Sequence, residues 1–264
     1  MRKLFIAAMV VLALASCKND KIQHSEWIDT DRWELAWNDE FDYQNRDELL
    51  EVWQSSNGPT AHTLCSRWPE NVEVTGSTVR LVNHKESRGG QDWTSASINT
   101  KEDFQYGYFE CRYKYAAATG ANSSFWLMTR AGAQGMVLPG AKVPEVGKQF
   151  ELDVNEGHYP DKVTSTVQHW SSEPHEYVQK KFTYEGTDFS QEFHIFGMEW
   201  TEKEIAFFVD GKETMRTNNE YAYSTAPVLL SMAVTAWAGE VTDAIDGTFM
   251  EVDYVRVYKE KANK

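Results

Sequence analysis

Residues 150–160 run "FELDVNEGHYP" and place three acids, Glu151, Asp153 and Glu156, within six positions. The gaps are two and then three. A strand repeats every two residues and a helix returns after three or four, so neither period puts all three on one face. One extra residue absorbed in a β-bulge between Asp153 and Glu156 restores the parity of a strand. The outer pair then lies about four steps apart, roughly 13 Å between Cα atoms at ~3.3 Å per step. Side chains leaning inward close this to roughly 5 Å between carboxyl groups, the separation at which one carboxylate attacks and the other serves as acid and base in retaining glycoside hydrolysis. Three ionised carboxylates in a row repel, so at least one pKa rises and one acid keeps its proton near neutral pH. Asp153, in the middle, is placed to hydrogen-bond to the attacking group and tune it. A solvated acidic edge strand carries the same letters without any chemistry. Against it, Leu152 and Val154 interleave with the acids and call for a core behind the strand.

Such a strand needs neighbours, and the chain supplies them. Strand-like runs rich in aromatic and β-branched residues lie at 78–85, 106–116, 123–129, 150–156, 162–170, 192–200, 204–213, 226–235 and 249–259. Turn residues separate them at the spacing of an all-β sandwich. Asp210-Gly211, inside "VDGK", is a hairpin signal. A short helix is predicted around 46–53, and no repeat of fixed period is present. The expectation is one all-β domain: a two-sheet antiparallel β-sandwich of the jelly-roll kind with a curved substrate cleft.

Alternation assigns faces. In "SSFWLMT" Phe125 and Leu127 point one way and Ser124, Trp126 and Met128 the other. In "VTSTVQHW" Val163, Val167 and His169 share one face. Thr164, Thr166, Gln168 and Trp170 share the opposite one. A polar face with tryptophan suits a sugar-binding cleft, because indoles stack on pyranose rings while amides bind hydroxyls.

The stretch Glu-Leu-Asp-Val-Asn-Glu resembles the signature of glycoside hydrolase family 16 in its bulged form, Glu-x-Asp-x-x-Glu. The resemblance extends in the family's order through "WNDEFD" (37–42), "WTSASINTKEDFQYGYFECRYKY" (93–115), "SSFWLM" (123–128), "FHIFGMEWTEKEIAFFVDGK" (193–212) and "MEVDYVRVYK" (250–259). It implies a retaining, endo-acting glycoside hydrolase that needs no cofactor, with Glu151 as nucleophile, Asp153 as assisting acid and Glu156 as acid/base. The family includes glucanases, agarases, porphyranases, carrageenases and transglycosylases. "RWPENV" (67–72), "SSFWLM" and the short step from Trp126 to Glu151 are more similar to its algal-galactan branch. The expected substrate is therefore a β-galactan of the agar or porphyran type. The alternatives are a β-1,3- or β-1,3-1,4-glucan endohydrolase and a non-catalytic, lectin-like sandwich. "GHYP" (157–160) departs from both the galactan and the glucan patterns.

Substrate contacts are predicted at Arg67, Trp68, Trp93, Trp126, His158, Gln168, Trp170 and Trp237. Trp37, Trp53 and Trp200 are assigned to the core, and His169 to a satisfied core or edge position. Asp253, near the "DEFD" strand, is a candidate for a structural calcium of the kind some relatives hold.

The 264 residues are 41% hydrophobic and 13% aromatic with ten Trp, enough for a sizeable core. Arg2 and Lys3, an apolar run from Leu4 to Ala15 and the end "LASC" predict a lipoprotein signal peptide at 1–16. Cys17 would be the lipidated first residue of a tether at 17–30, followed by the catalytic domain at 31–260. The protein is expected at the bacterial cell envelope, anchored by lipid to the outer membrane and facing outward, as a monomer acting on a polysaccharide. Cys65 and Cys111 are expected as free thiols. A net charge of −14 argues against nucleic acid as a partner. It also leaves any anionic sugar to be held by local arginines.

Overall fold

The computed structural model describes residues 23–130, 149–172 and 175–262. Cys17 and the signal peptide predicted at 1–16 lie outside the described residues. Strands are numbered in chain order. The cleft sheet runs from edge to edge through β12 (His175–Glu185), β11 (Lys162–Ser172), β10 (Gln149–His158), β9 (Ala121–Met128), β16 (Val228–Val234), β7 (Ser97–Thr100) and β2 (Trp53–Ser55). The back sheet runs through β15 (Lys212–Asn218), β14 (Glu204–Val209), β13 (His194–Trp200), β8 (Gly107–Lys114), β17 (Phe249–Glu260), β5 (Val79–Val82) and β4 (Val72–Val74), with β1 (Trp33–Asp39) also on β17. These pairings are antiparallel; β3 (Cys65–Arg67) and β6 (Trp93–Ser95) form a separate parallel pair. This is the jelly-roll sandwich that the alternation predicts.

The core lies between the sheets. Phe125, Leu127, Phe150, Leu152, Val154, Val163 and Val167 project from the cleft sheet, and Phe109, Tyr113, Phe196, Met198 and Trp200 from the back sheet. Each is every second residue of its strand, as a pleated strand buried on one face requires. Fully burying one such side chain contributes about 1.5–3 kcal/mol, so β9 and β10 are anchored from behind. Trp53 and Trp200 are fully buried, with their indole N–H groups donating to Asp39 and to the Ala222 carbonyl. Trp37 departs from the core assignment. It is half-buried and meets Trp53 edge-on at 6.1 Å, covering the core rather than filling it.

The helix forms at α1 (Arg46–Val52), capped by the Asn45 side chain, which accepts from the Glu48 amide at 3.0 Å. Asp210 and Gly211 both take positive φ in the β14–β15 turn, as an Asp-Gly hairpin demands. Cys65 and Cys111 are free and buried in separate clusters. Asp253 pairs with the guanidinium of Arg112 instead of standing free for a cation. Among the described residues no group of three His, Cys, Asp or Glu is arranged to hold a metal.

Candidate active site

β10 carries the bulge where the spacing required it. Asp153 pairs with Thr166 and Glu156 with Thr164, so three steps on β10 match two on β11. Val154 and Asn155 are both buried, and Asn155 bonds to Tyr113 and Tyr115 beneath the sheet. Glu151, Asp153 and Glu156 all line the open face. The row continues sideways through Gln168 beside Glu151, Trp126 beside Asp153 and Ser124 beside Glu156.

The three acids sit in different environments. Burial, then the charge of Glu151, pushes the Glu156 carboxyl up to about 7, while Lys181 pulls it back. Asp153 is raised well above the usual carboxylate range by burial and by the glutamates on either side. Burial also raises Glu151, but hydrogen bonds from Asp153 and Gln168 oppose the rise and favour its charged form. A carboxyl that keeps its proton near neutral pH thus stands in one row with a second, Glu151, on which two hydrogen bonds work against the effect of burial. Two carboxyl groups in different surroundings can divide acid and base work between them.

Of the sequence-predicted contacts, Arg67, Trp126 and Trp237 line the cleft with the acids. Trp126 is half-buried and donates its indole N–H to Ser231 Oγ at 3.1 Å. Trp237 is 47% exposed and tilts against the His158 ring at 4.9 Å. Burial and the lysines Lys162 and Lys181 push His158 down to about 4, which leaves it neutral beneath Trp237. Arg67 donates Nε–H to the Met232 carbonyl, and burial lowers its pKa. Gln168 donates to Asp153 Oδ2 at 3.3 Å, so it serves the acids directly. His169 is buried and stacks on Tyr221 at 4.1 Å, a core position as expected. The side chain of Trp170 lies outside the described residues.

Two expected contacts are corrected. Trp68 does not line the cleft with its neighbour Arg67, since successive residues of an extended chain point to opposite sides. Its ring is covered by the Arg88 guanidinium at 3.8 Å, and its indole N–H bonds to Ser66 Oγ. Trp93 is only 6% exposed and packs with Cys65, Ala118, Val234 and Ile245 in a second small core.

The sequence reading missed Ser56, Thr60, Thr63, Asn122 and Ser231, which line the cleft, and Tyr177 on β12. Tyr177 is 58% exposed; burial of its hydroxyl and the charges of all three acids raise its pKa. Its signal was present in "HEYVQKKFTYE", where Tyr177, Gln179 and Lys181 alternate. Charged residues on an edge strand disguised it as a loop.

The family profile of Glycosyl hydrolases family 16 matches residues 61–256, which include the acid row. A beta-glucanase of Rhodothermus marinus is 28% identical over 93% of this chain and 89% of that protein. A beta-glucanase of Fibrobacter succinogenes is 28% identical over 64% of this chain, which spans 48% of that longer protein. The laminarinase catalytic domain of Thermotoga maritima superposes with a TM-score of 0.72 at 25% identity, covering 87% of this chain and 99% of that one. A profile that takes in both sheets and the bulged strand at the floor of the cleft leaves one assignment: the chain belongs to glycosyl hydrolases family 16, enzymes that act on O-glycosyl bonds.

Proposed function

We propose that the protein is an endo-acting, retaining β-glucanase that cleaves β-1,3- or mixed-linkage β-1,3-1,4-glucan. The observation that carries the chemistry is the bulge, which turns Glu151, Asp153 and Glu156 to one face of β10. Glu156, protonated up to about pH 7, gives its proton to the glycosidic oxygen. Glu151 attacks the anomeric carbon, and Asp153, bonded to it, shares the charge of the resting carboxylate. Glu156, now ionised, takes a proton from water, which releases the covalent intermediate with retained configuration. Trp126 and Trp237, both in the lining of the cleft, offer indole surfaces to the sugar rings of the chain.

Glucan is preferred over the algal galactan expected from the sequence for two reasons. The relatives above bear the names beta-glucanase and laminarinase. Of the residues that suggested a galactan, Trp68 is covered by the Arg88 guanidinium and is not among those lining the cleft with the acids. A panel of laminarin, mixed-linkage glucan, agarose, porphyran and carrageenan, read by oligosaccharide release, decides the matter. Release from laminarin or mixed-linkage glucan is the expected result. Release from a galactan alone would return the substrate to the algal class and leave the catalytic assignment intact.

We also propose that Cys17 carries a lipid that holds the enzyme at the outer face of the cell envelope, on the strength of the basic, apolar and "LASC" segments. A radiolabelled fatty acid should mark the wild type. Equal labelling of Cys17→Ala would remove the proposal.

A further inference from the structure

Glu151, Gln168 and Gln179 stand in one row across β10, β11 and β12, each directly opposite the next. The middle member is an amide, whose two ends have nearly the same shape and opposite polarity. Its Nε2 donates to Asp153 Oδ2 at 3.3 Å and also serves Glu151. Its Oε1 is engaged from the other side by the Tyr177 hydroxyl at 2.8 Å and more weakly by Gln179 Nε2 at 3.4 Å. Were the amide reversed, a carbonyl oxygen would face a carboxylate, and like partial charges would repel.

We propose that Tyr177 is a positioning residue: its hydroxyl fixes the sense of the Gln168 amide, so that the N–H donors face Glu151 and Asp153. This deepens the reading of Glu151 as the nucleophile and rests on it. Tyr177 need not touch sugar for this role. Over half of its surface is exposed, so it is not there to fill the core. A donor to a carboxylate favours the ionised form, so loss of the amide's correct sense raises the pH at which Glu151 becomes active. Among the described residues, the other charged or titratable groups around Glu151 are Asp153 and Glu156 on its own strand, Lys181 from β12, whose charge acts on Glu156, and Arg67 and His62 in the lining of the cleft. β9 contributes only the uncharged Met128 and Trp126 there. None of these groups replaces the donor that Gln168 supplies.

The test compares Tyr177→Phe, Gln168→Leu and the double variant, with the pH dependence of kcat/KM measured on whichever polysaccharide the panel identifies. Tyr177→Phe should move the acid limb to higher pH and lower kcat about 3–10-fold, the size of one hydrogen bond, with KM little changed. Gln168→Leu should move the limb further, and the double variant should match Gln168→Leu alone, because the hydroxyl acts only through the amide. An unmoved acid limb in Tyr177→Phe, a change confined to KM, or additive effects in the double variant would each overturn the relay. Thermal unfolding checks that every variant is folded. Glu151→Gln separates the two levels: if it abolishes turnover while Tyr177→Phe behaves as wild type, only the relay fails. Retained turnover in Glu151→Gln removes the nucleophile reading and the relay with it.

Discussion

Asn155 donates its side-chain amide both to Tyr113 Oη at 2.6 Å and to Tyr115 Oη at 2.7 Å. All three side chains are buried, Asn155 and Tyr113 completely. Val154 and Asn155 together stand opposite a single residue of β11, and Asn155 pairs with Phe125 on β9, so this buried network holds the bulge that brings Glu156 into line with Glu151. The next residue, Gly157, packs so closely on Tyr115 that a Cβ there would fall 2.4 Å from the ring. A bulge held by satisfied polar groups in the core has one geometry, whereas an apolar one is free to slip.

Asn155→Leu should therefore cost about 2–4 kcal/mol of stability, since two phenol hydroxyls lose a buried partner. It should also lower kcat by displacing Glu156. Tyr115→Phe, which removes one member, should cost about 1 kcal/mol. Chemical denaturation measures both; an Asn155→Leu protein as stable as wild type would deny the network its role.

Glu151→Gln and Glu156→Gln should each fold and lose activity by about 10²–10⁴-fold or more. The two should differ in rescue. A small anion such as azide should restore turnover to a Glu156→Ala protein on a substrate with a good leaving group, giving a product of retained configuration. In Glu151→Ala the same anion should give the inverted product. Identical stereochemistry from both would mean that the roles are misassigned.

Glu156 sets the alkaline limb. The proton it donates is lost near pH 7, so kcat/KM should fall above that pH. The same raised pKa makes the protein less stable as the pH rises. Between the ordinary carboxylate range and about 7, the native state holds a proton that the unfolded chain has released, and stability declines through that window. Glu156→Gln removes the penalty. It should be more stable than wild type by roughly 1–3 kcal/mol at pH 8 and by little at pH 4, as read from denaturation at both pH values. Equal effects at both would show that Glu156 titrates normally.

Trp237→Ala should raise KM about 5–30-fold, the equivalent of about 1–2 kcal/mol of lost stacking, with stability unchanged because the ring is 47% exposed. Trp126→Ala should raise KM and also destabilise, since that ring packs on Met128 and Leu229. A Trp237 variant with wild-type KM on every polymer of the panel would remove the ring from the substrate path.

The sequence by itself determined the strands with strong apolar alternation, the capped helix, the Asp-Gly hairpin and, above all, the bulge. These are local matters of parity and turn chemistry, and the gaps of two and three around Asp153 admit only one repair on a strand. The partners of the acid row were decided by tertiary structure. Gln168 was visible as a cleft-face residue, yet its task follows from a register that sets it opposite Glu151, and register depends on distant turns and core packing. Tyr177 stayed hidden because its strand is an edge, polar enough to read as a loop until β11 supplies its hydrogen bonds. Trp68 and Trp93 look alike in the sequence to Trp126 and Trp237. Which indoles meet the cleft and which are spent on an arginine or a second core depends on how β3 and β6 lie against β16, and no local pattern records that.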